Sequence, residues 1–471
     1  MRSSDPVLVL GGGPSGLACA WELARAGRAV TVLEREPRAG GLCATLERDG
    51  WRFDLGGHRF VSSNAALAKR VRALLGGDLL EQERRSVVLH SGRAFRYPLE
   101  AGDLVRSLGL RENVRAFGGY LAARARHRVT PSPDRTFEDW VRSRFGAPLY
   151  DKFFGPYTEK LWGIPAHEIS SEWAAQRIGL LHLGDAALRM MGLRREAIRT
   201  YARRYFYPRL GMGQLFERLA EETTRLGARI VLGAEVVGLV TSGKRVTHVQ
   251  ALVDGARTTF PCSSVYATIP LGDVAKQLGG DAPTSQLAFR AIRFVNLMLR
   301  RREVSPNTWM YVADPRYTIT RIQEPRHRSP DMAPPGTTSL MLEIPCAEAD
   351  DIWCGDEAEL VEMALRELAA LGFDVRADVV GSFSFRVPHG YPIYRVGYEA
   401  DRDRLMAHVA RWENLALGGR QGLFRYIFLD AAMEMGELAA GQILRGGAVD
   451  TEAIDRVRRE RVLLETRALS A

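Results

Sequence analysis

The sequence predicts an α/β protein: a Rossmann-type dinucleotide-binding domain assembled from discontinuous segments, joined to a helix-rich and sheet-containing substrate domain. Three observations predict it. The apolar run Val7-Leu8-Val9-Leu10 feeds directly into Gly11-x-Gly13-x-x-Gly16 and a helical stretch. Further strand signals of the same domain recur only after residue 228 and again at residue 415. With 471 residues the chain is also too long for one simple core.

In the first unit, glycines let the chain turn sharply and bring backbone N–H groups, with Ser15 among them, to the positive end of the helix Leu17 to Ala26. A second strand, Ala29 to Leu33, ends in Glu34, 18 residues after Gly16, placed to accept hydrogen bonds from a ribose, with Arg35 beside it. Strand patterns follow at Ala228 to Leu232, Glu235 to Val240 (including Val236), Val246 to Leu252 and Val265 to Ile269. The short strand Leu415 to Leu417 ends in Gly418-Gly419-Arg420 and precedes a helical pattern from Asp430 to Leu444. These signals place the cofactor domain at 1–80, 211–279 and 396–450, and the substrate domain at 81–210 and 280–395. Strands at Ser339 to Ile344 and Val379 to Phe385 belong to the latter, the proline-rich stretch 325–336 reads as a loop, and 451–471 reads as a charged surface helix.

The composition narrows the partners. Hydrophobic residues make up 46% and charged residues 26%, ordinary for a water-soluble protein, and no apolar run is long enough to span a bilayer, so a cytoplasmic protein without signal peptide is expected. The net charge of +9 comes from 65 basic residues of which five are lysines; the arginines are scattered, which argues against nucleic acid and for small anionic ligands bound by guanidinium forks. Five cysteines without a CxxC pair suggest neither a metal site nor a disulfide framework.

The continuation Gly40-Gly41-Leu42 and Asp54-Leu55-Gly56-Gly57-His58 resembles the FAD-binding signature of the amine oxidase and protoporphyrinogen oxidase superfamily. That resemblance implies FAD as cofactor, with Gly41 and Leu42 close to it and Gly57 and His58 beside the isoalloxazine. The aromatic run Phe153-Phe154-Gly155-Pro156-Tyr157-Thr158-Glu159-Lys160-Leu161-Trp162-Gly163 can stack a flat ring and set polar groups around it. Its YTEKxWG core resembles flavin-dependent UDP-galactopyranose mutases, as do Gly57-His58-Arg59-Phe60, Gly92 to Leu99, Thr320-Arg321-Ile322-Gln323-Glu324 and Gly418-Gly419-Arg420 with Tyr426.

The second resemblance implies an enzyme acting on a nucleotide sugar, a pyranose/furanose mutase using reduced flavin as covalent nucleophile. Phe153, Phe154, Tyr157, Thr158, Trp162, Tyr205 and Tyr426 would line the substrate, and Arg177, Arg321 and Arg420 would neutralise its diphosphate beside His58. Gly419, Arg420 and Asp430 would also meet the cofactor. The alternative is a FAD-dependent oxidoreductase taking hydride from an acidic or sugar-derived substrate. An external reductant such as NAD(P)H and a homodimer stay open as partners. The stretch 187–204, with six arginines, has no counterpart in the mutases, and the YPxxGxG ending of Tyr207 to Gly213 resembles the oxidase branch.

Overall fold

A computed structural model of the protein describes residues 5–96, 109–129, 134–178, 204–446 and 448–458. Its centre is a five-stranded parallel sheet in the spatial order Leu415–Leu417, Ser264–Ala267, Val7–Leu10, Val30–Leu33, Arg229–Val231. Val7, Leu8, Val9 and Leu10 are all wholly buried, which is why this strand reads as an unbroken apolar run and not as an alternation. An antiparallel sheet of Ala234–Ser242, Arg245–Val253 and Ala256–Pro261 interrupts the parallel one and delivers the chain to Ser264.

Helix Pro14–Arg25 lies against the long helix Leu429–Arg445. Their approach is set by Gly436: a Cβ built there would sit 2.1 Å from the carbonyl oxygen of Ser15 and 2.8 Å from the amide nitrogen of Cys19. Helix Leu429–Arg445 thus packs on the turn of the glycine loop.

The second layer is a seven-stranded sheet in the order Val379–Pro392, Phe289–Leu299, Thr338–Cys346, Arg321–Gln323, Trp309–Val312, Ser86–His90, Arg93–Arg96. All neighbours are antiparallel except Trp309–Val312 with Ser86–His90. Helices Leu110–Val129, Phe137–Phe145, Gly155–Trp162 and Ser171–Ile178 stand beside it, the third entered through a wide π turn at Tyr150–Phe154. Lys160 fastens this helix to the sheet, its Nζ donating to the carbonyls of Val312, Asp314 and Ile319 at 2.9, 3.1 and 2.7 Å. Glu159 accepts the Ala166 N–H at 3.1 Å. These two polar residues of the aromatic run therefore work on the scaffold.

Three expectations need correction. Strand Arg204–Pro208, expected in the substrate domain, pairs with Leu79–Glu83, and its Tyr205 and Tyr207 are buried in a core shared with helices Pro14–Arg25 and Gly213–Arg225. The proline-rich stretch is no surface loop: it makes two short 3-10 turns and buries Arg328, Ser329 and Met332. Among the described residues beyond 450 only Thr451–Asp455 is helical, and it docks: Ile454 is buried and the Arg458 guanidinium pairs with Asp430 and Glu434. Residues 459–471 lie outside the described residues, as do 187–203 of the arginine-rich stretch and Tyr97 to Leu99. The cysteines are free; Cys19, Cys43, Cys262 and Cys346 are buried and Cys354 is exposed.

Two outcomes follow for stability. Gly436→Ala forces the two helices apart and is expected to lose about 2 kcal/mol in denaturant unfolding, despite alanine's better helix propensity. Lys160→Met leaves three carbonyls without their cation and is expected to lose about 2 kcal/mol in the same measurement. An unchanged midpoint in either variant contradicts the corresponding contact.

Candidate functional site

A cavity of about 680 Å³ runs from the glycine loop to the edge of the seven-stranded sheet. Its lining includes Gly11, Gly13, Ser15, Glu34, Arg35, Gly41, Leu42, His58, Val236, Gly419 and Arg420. At one end the backbone turns at Gly11, φ +102°, and enters helix Pro14–Arg25, whose first N–H groups have no carbonyl behind them. Glu34 is buried and organised before any ligand arrives: it accepts the Gly12 N–H at 2.6 Å and the Glu36 N–H at 2.8 Å. Burial raises its pKa, and those two N–H bonds pull it back. At the second turn Gly41, φ +52°, brings its Cα to where a side chain would meet Gly13.

Three expected cofactor residues do not reach the lining. Gly16 has the carbonyl oxygen of Gly11 where a Cβ would stand, 2.0 Å away, so it serves the packing of the turn. Gly57 packs against Arg321 and Trp309, within 2.7 and 3.0 Å of where its Cβ would be. The Asp430 carboxylate is taken by Arg458, and burial pushes its pKa up to about 6 against that cation.

At the other end His58 borders the cavity, with Nδ1 buried and no hydrogen-bond partner among the described residues. Burial, and then the guanidinium charges of Arg420, Arg328 and Arg321, push its pKa down to about 3, so its ring is neutral at working pH. The three arginines differ in what balances them. Arg321 donates from Nη2 to Glu343 at 3.2 Å and to the Tyr391 hydroxyl at 3.3 Å. Wholly buried Arg328 stands 3.6 Å from the Asp54 carboxylate. Arg420 donates to two backbone carbonyls, Gly390 at 3.1 Å and Ile427 at 2.9 Å, and no carboxylate pairs with it among the described residues.

Beyond Arg420 the rings gather. Arg420 lies over Tyr426 at 4.8 Å and Tyr391 at 5.9 Å; Tyr391 faces Tyr426 at 6.0 Å and Trp162 at 6.1 Å. Trp162 meets Trp173 edge-on at 4.6 Å, and Trp173 returns to Tyr426 at 5.5 Å. Tyr157 belongs to the same patch: burial raises its pKa, with Arg321, Tyr311, Glu343 and Tyr391 close enough to act on it. The fold thus brings together Tyr157, Trp162, Arg321, Arg420 and Tyr426 with His58.

Other expected substrate residues lie elsewhere. Phe153 stacks on His90 at 5.2 Å and Phe154 on Phe145 at 5.3 Å, within the helical core, and Thr158 is buried. Tyr205 packs on Trp309 at 5.5 Å, in the core described above. Arg177 is on helix Ser171–Ile178, and its side chain lies outside the described residues. Sequence reasoning missed Glu343, Tyr391, Trp173 and Tyr311. Glu343 left a readable signal, a lone carboxylate inside the apolar strand Ser339 to Ile344. Tyr391 left little, since it follows a bulge opposite Arg290 and Ile292 that breaks the alternation of its strand.

Comparison with known proteins agrees with this geometry. Among solved structures, a reduced UDP-galactopyranose mutase superposes with a TM-score of 0.83 at 19% identity, covering 98% of this chain and 100% of that one. Putrescine oxidase superposes with a TM-score of 0.61 at 18% identity, covering 94% and 99%. At these identities the likeness is one of fold. Among curated proteins, phytoene dehydrogenase of Streptomyces griseus is 26% identical over 387 residues, 74% of either chain. The chloroplastic protoporphyrinogen oxidase of Oryza sativa subsp. japonica is 26% identical over 312 residues, 60% of this chain and 56% of that protein. The family of flavin containing amine oxidoreductases matches residues 14–444. That match spans most of the chain, and with its glycine turn and buried Glu34 along one cavity the chain belongs to that family and is a flavoenzyme whose cofactor is FAD.

Proposed function

We propose that the protein isomerises a nucleoside diphosphate sugar between ring sizes, as a pyranose/furanose mutase. The observation that carries this reading is Arg420: a guanidinium without a carboxylate, shared between the cofactor cavity and the ring cluster of Tyr391 and Tyr426. In this reading Gly11, Gly13 and Ser15 meet the pyrophosphate, Glu34 and Arg35 the ribose, and Gly41, Leu42, Val236 and Gly419 the length of the cofactor, with His58 beside its ring system. Bound FAD, once reduced, supplies an electron-rich nitrogen toward the anomeric carbon.

The chain's own residues do the rest. Arg420 keeps a full charge for the departing diphosphate, and Arg321, whose Nε is buried without a partner, adds a donor already charge-balanced by Glu343. Burial keeps the hydroxyls of Tyr157 and Tyr391 protonated; Tyr391 donates to Glu343 at 3.2 Å, and Tyr157 offers a neutral O–H donor. Trp162 and Tyr426 provide flat apolar walls that exclude water and hold the ring. Arg177 joins the diphosphate set on the strength of the sequence resemblance alone. Neutral His58 accepts or donates one hydrogen bond at the flavin and carries no charge through the cycle.

A second reading, a hydride-abstracting oxidoreductase, is favoured by the Arg321–Glu343 pair, which lowers the net charge available for a diphosphate, and by the oxidoreductase names of the sequence relatives. The two separate cleanly. Dithionite-reduced holoprotein given a panel of nucleotide sugars is expected to yield a ring-size isomer with no net consumption of electrons. Stoichiometric bleaching of oxidised flavin by a donor, with no isomer formed after reduction, favours the second reading. Arg420→Met is expected to weaken nucleoside diphosphate binding, followed by flavin fluorescence, about tenfold to a hundredfold; unchanged binding removes the assignment.

The state of His58 gives a pH test. The fold holds its pKa at about 3, below the ordinary 6.5, so the unfolded chain takes up a proton that the native state refuses. Its contribution to stability is therefore present above about pH 6.5 and is lost as pH falls toward 3. Between about pH 5 and 8 the activity profiles of wild type and His58→Gln are expected to share one shape, whatever their heights. A wild-type inflection in that range that the variant lacks contradicts a neutral His58.

A further inference from the structure

The helix Leu110–Val129 packs on its neighbours with one face and, among the described residues, leaves the opposite face uncovered. The packed face is drawn in tightly: a Cβ on Gly119 would come within 2.6 Å of the Pro148 ring, Tyr120 is buried, and Ala116 lies against the helical core. Opposite it, Leu110, Val114, Phe117 and Leu121 are 83%, 65%, 54% and 50% exposed. Their spacing of four, three and four residues puts all of them in one narrow stripe along the helix. Four large apolar side chains in one row are no scatter of single surface residues.

Charge decides what the stripe meets. The twenty residues of this helix include five arginines and one carboxylate, Glu112, and that carboxylate is taken by Lys152 at 2.5 Å. On a helical projection Arg111, Arg115 and Arg126 flank the stripe on one side and Arg124 on the other. A second copy seated face to face would set these arginines against their own counterparts, because a two-fold contact pairs a patch with itself. An apolar row edged with guanidinium groups instead matches the interface of an anionic bilayer, where the side chains enter below the headgroups and the arginines meet the phosphates. Among the described residues no helix is long and apolar enough to cross a membrane, so this contact lies on the surface.

We propose that the Leu110–Val129 helix docks the protein on anionic lipid membranes through Leu110, Val114, Phe117 and Leu121. The helix touches the segment that leads into Gly155–Trp162, so docking presents the substrate half of the molecule to the lipid surface. Full-length holoprotein is sedimented with phosphatidylcholine vesicles and with vesicles of equal parts phosphatidylcholine and phosphatidylglycerol. Binding is expected to the mixed vesicles only, to fall with added salt, and to weaken about tenfold in Arg111→Glu/Arg115→Glu. Phe117→Asp/Leu121→Asp is expected to abolish binding while flavin absorbance and melting temperature stay at wild-type values. The arginine pair, on exposed positions, supplies the test if the apolar pair misfolds.

Failure of the wild type to bind mixed vesicles overturns the proposal, and so does binding that neither variant alters. Equal binding to neutral vesicles overturns the anionic preference. A wild-type dimer that Phe117→Asp/Leu121→Asp converts to monomer assigns the stripe to a second copy instead.

Discussion

Asp54 carries its carboxylate where no water reaches, and four separate segments converge to hold it there. The Tyr207 hydroxyl donates to it at 2.6 Å, the Thr45 hydroxyl at 2.7 Å and the Met212 N–H at 3.0 Å, while Arg328 faces it at 3.6 Å. Burial pushes its pKa up and these partners, Arg328 foremost, pull it back. A buried charge of this kind is stable only with every partner in place, so it ties the strand Trp51–Asp54, the strand Arg204–Pro208, the start of helix Gly213–Arg225 and the proline-rich stretch into one arrangement. Gly56, Gly57 and His58 follow within four residues. The place of His58 at the cavity's end is a consequence of how Asp54 is satisfied.

The electrostatics of the site follow from the same economy of partners. Arg328 and Arg321 each have a carboxylate, Asp54 and Glu343, so they add donors and rigidity more than field. Arg420 is held by carbonyls and leaves its charge uncompensated next to a neutral His58. In a cavity walled by Leu42, Ile427 and Phe428 such a charge is weakly screened, and it favours whatever is most electron-rich or anionic at that end.

Much of this was legible in the sequence, for local reasons. The glycine turn, Glu34, the second glycine turn and the strand ending in Gly418-Gly419-Arg420 are short contiguous patterns, and a contiguous pattern keeps its meaning wherever the chain goes next. Within the YTEKxWG run the side chains divide by helix face: Tyr157 and Trp162 lie beside Arg321 and Tyr391, while Lys160 and Glu159 hold the scaffold. Tyr205 and Asp430 lie away from their expected places because both are held by distant partners, Trp309 and Arg458, that no local pattern announces. Glu343 and Tyr391 escaped for the same reason. They become site residues only through cross-strand register, Arg321 opposite Glu343, which is a property of the assembled sheet.

The interleaving of the parallel sheet also fixes an order of events at synthesis. Val7 leaves the ribosome well before its neighbour Ser264, and the edge strand at Leu415 follows later still. The helix that closes over the glycine turn through Gly436 emerges after both, with Arg458 locking it from behind. A nascent chain therefore has no complete cofactor site until translation has passed Arg458. Cofactor capture thus reports that translation has passed this helix, and a product truncated before it is left without the ligand that would stabilise it.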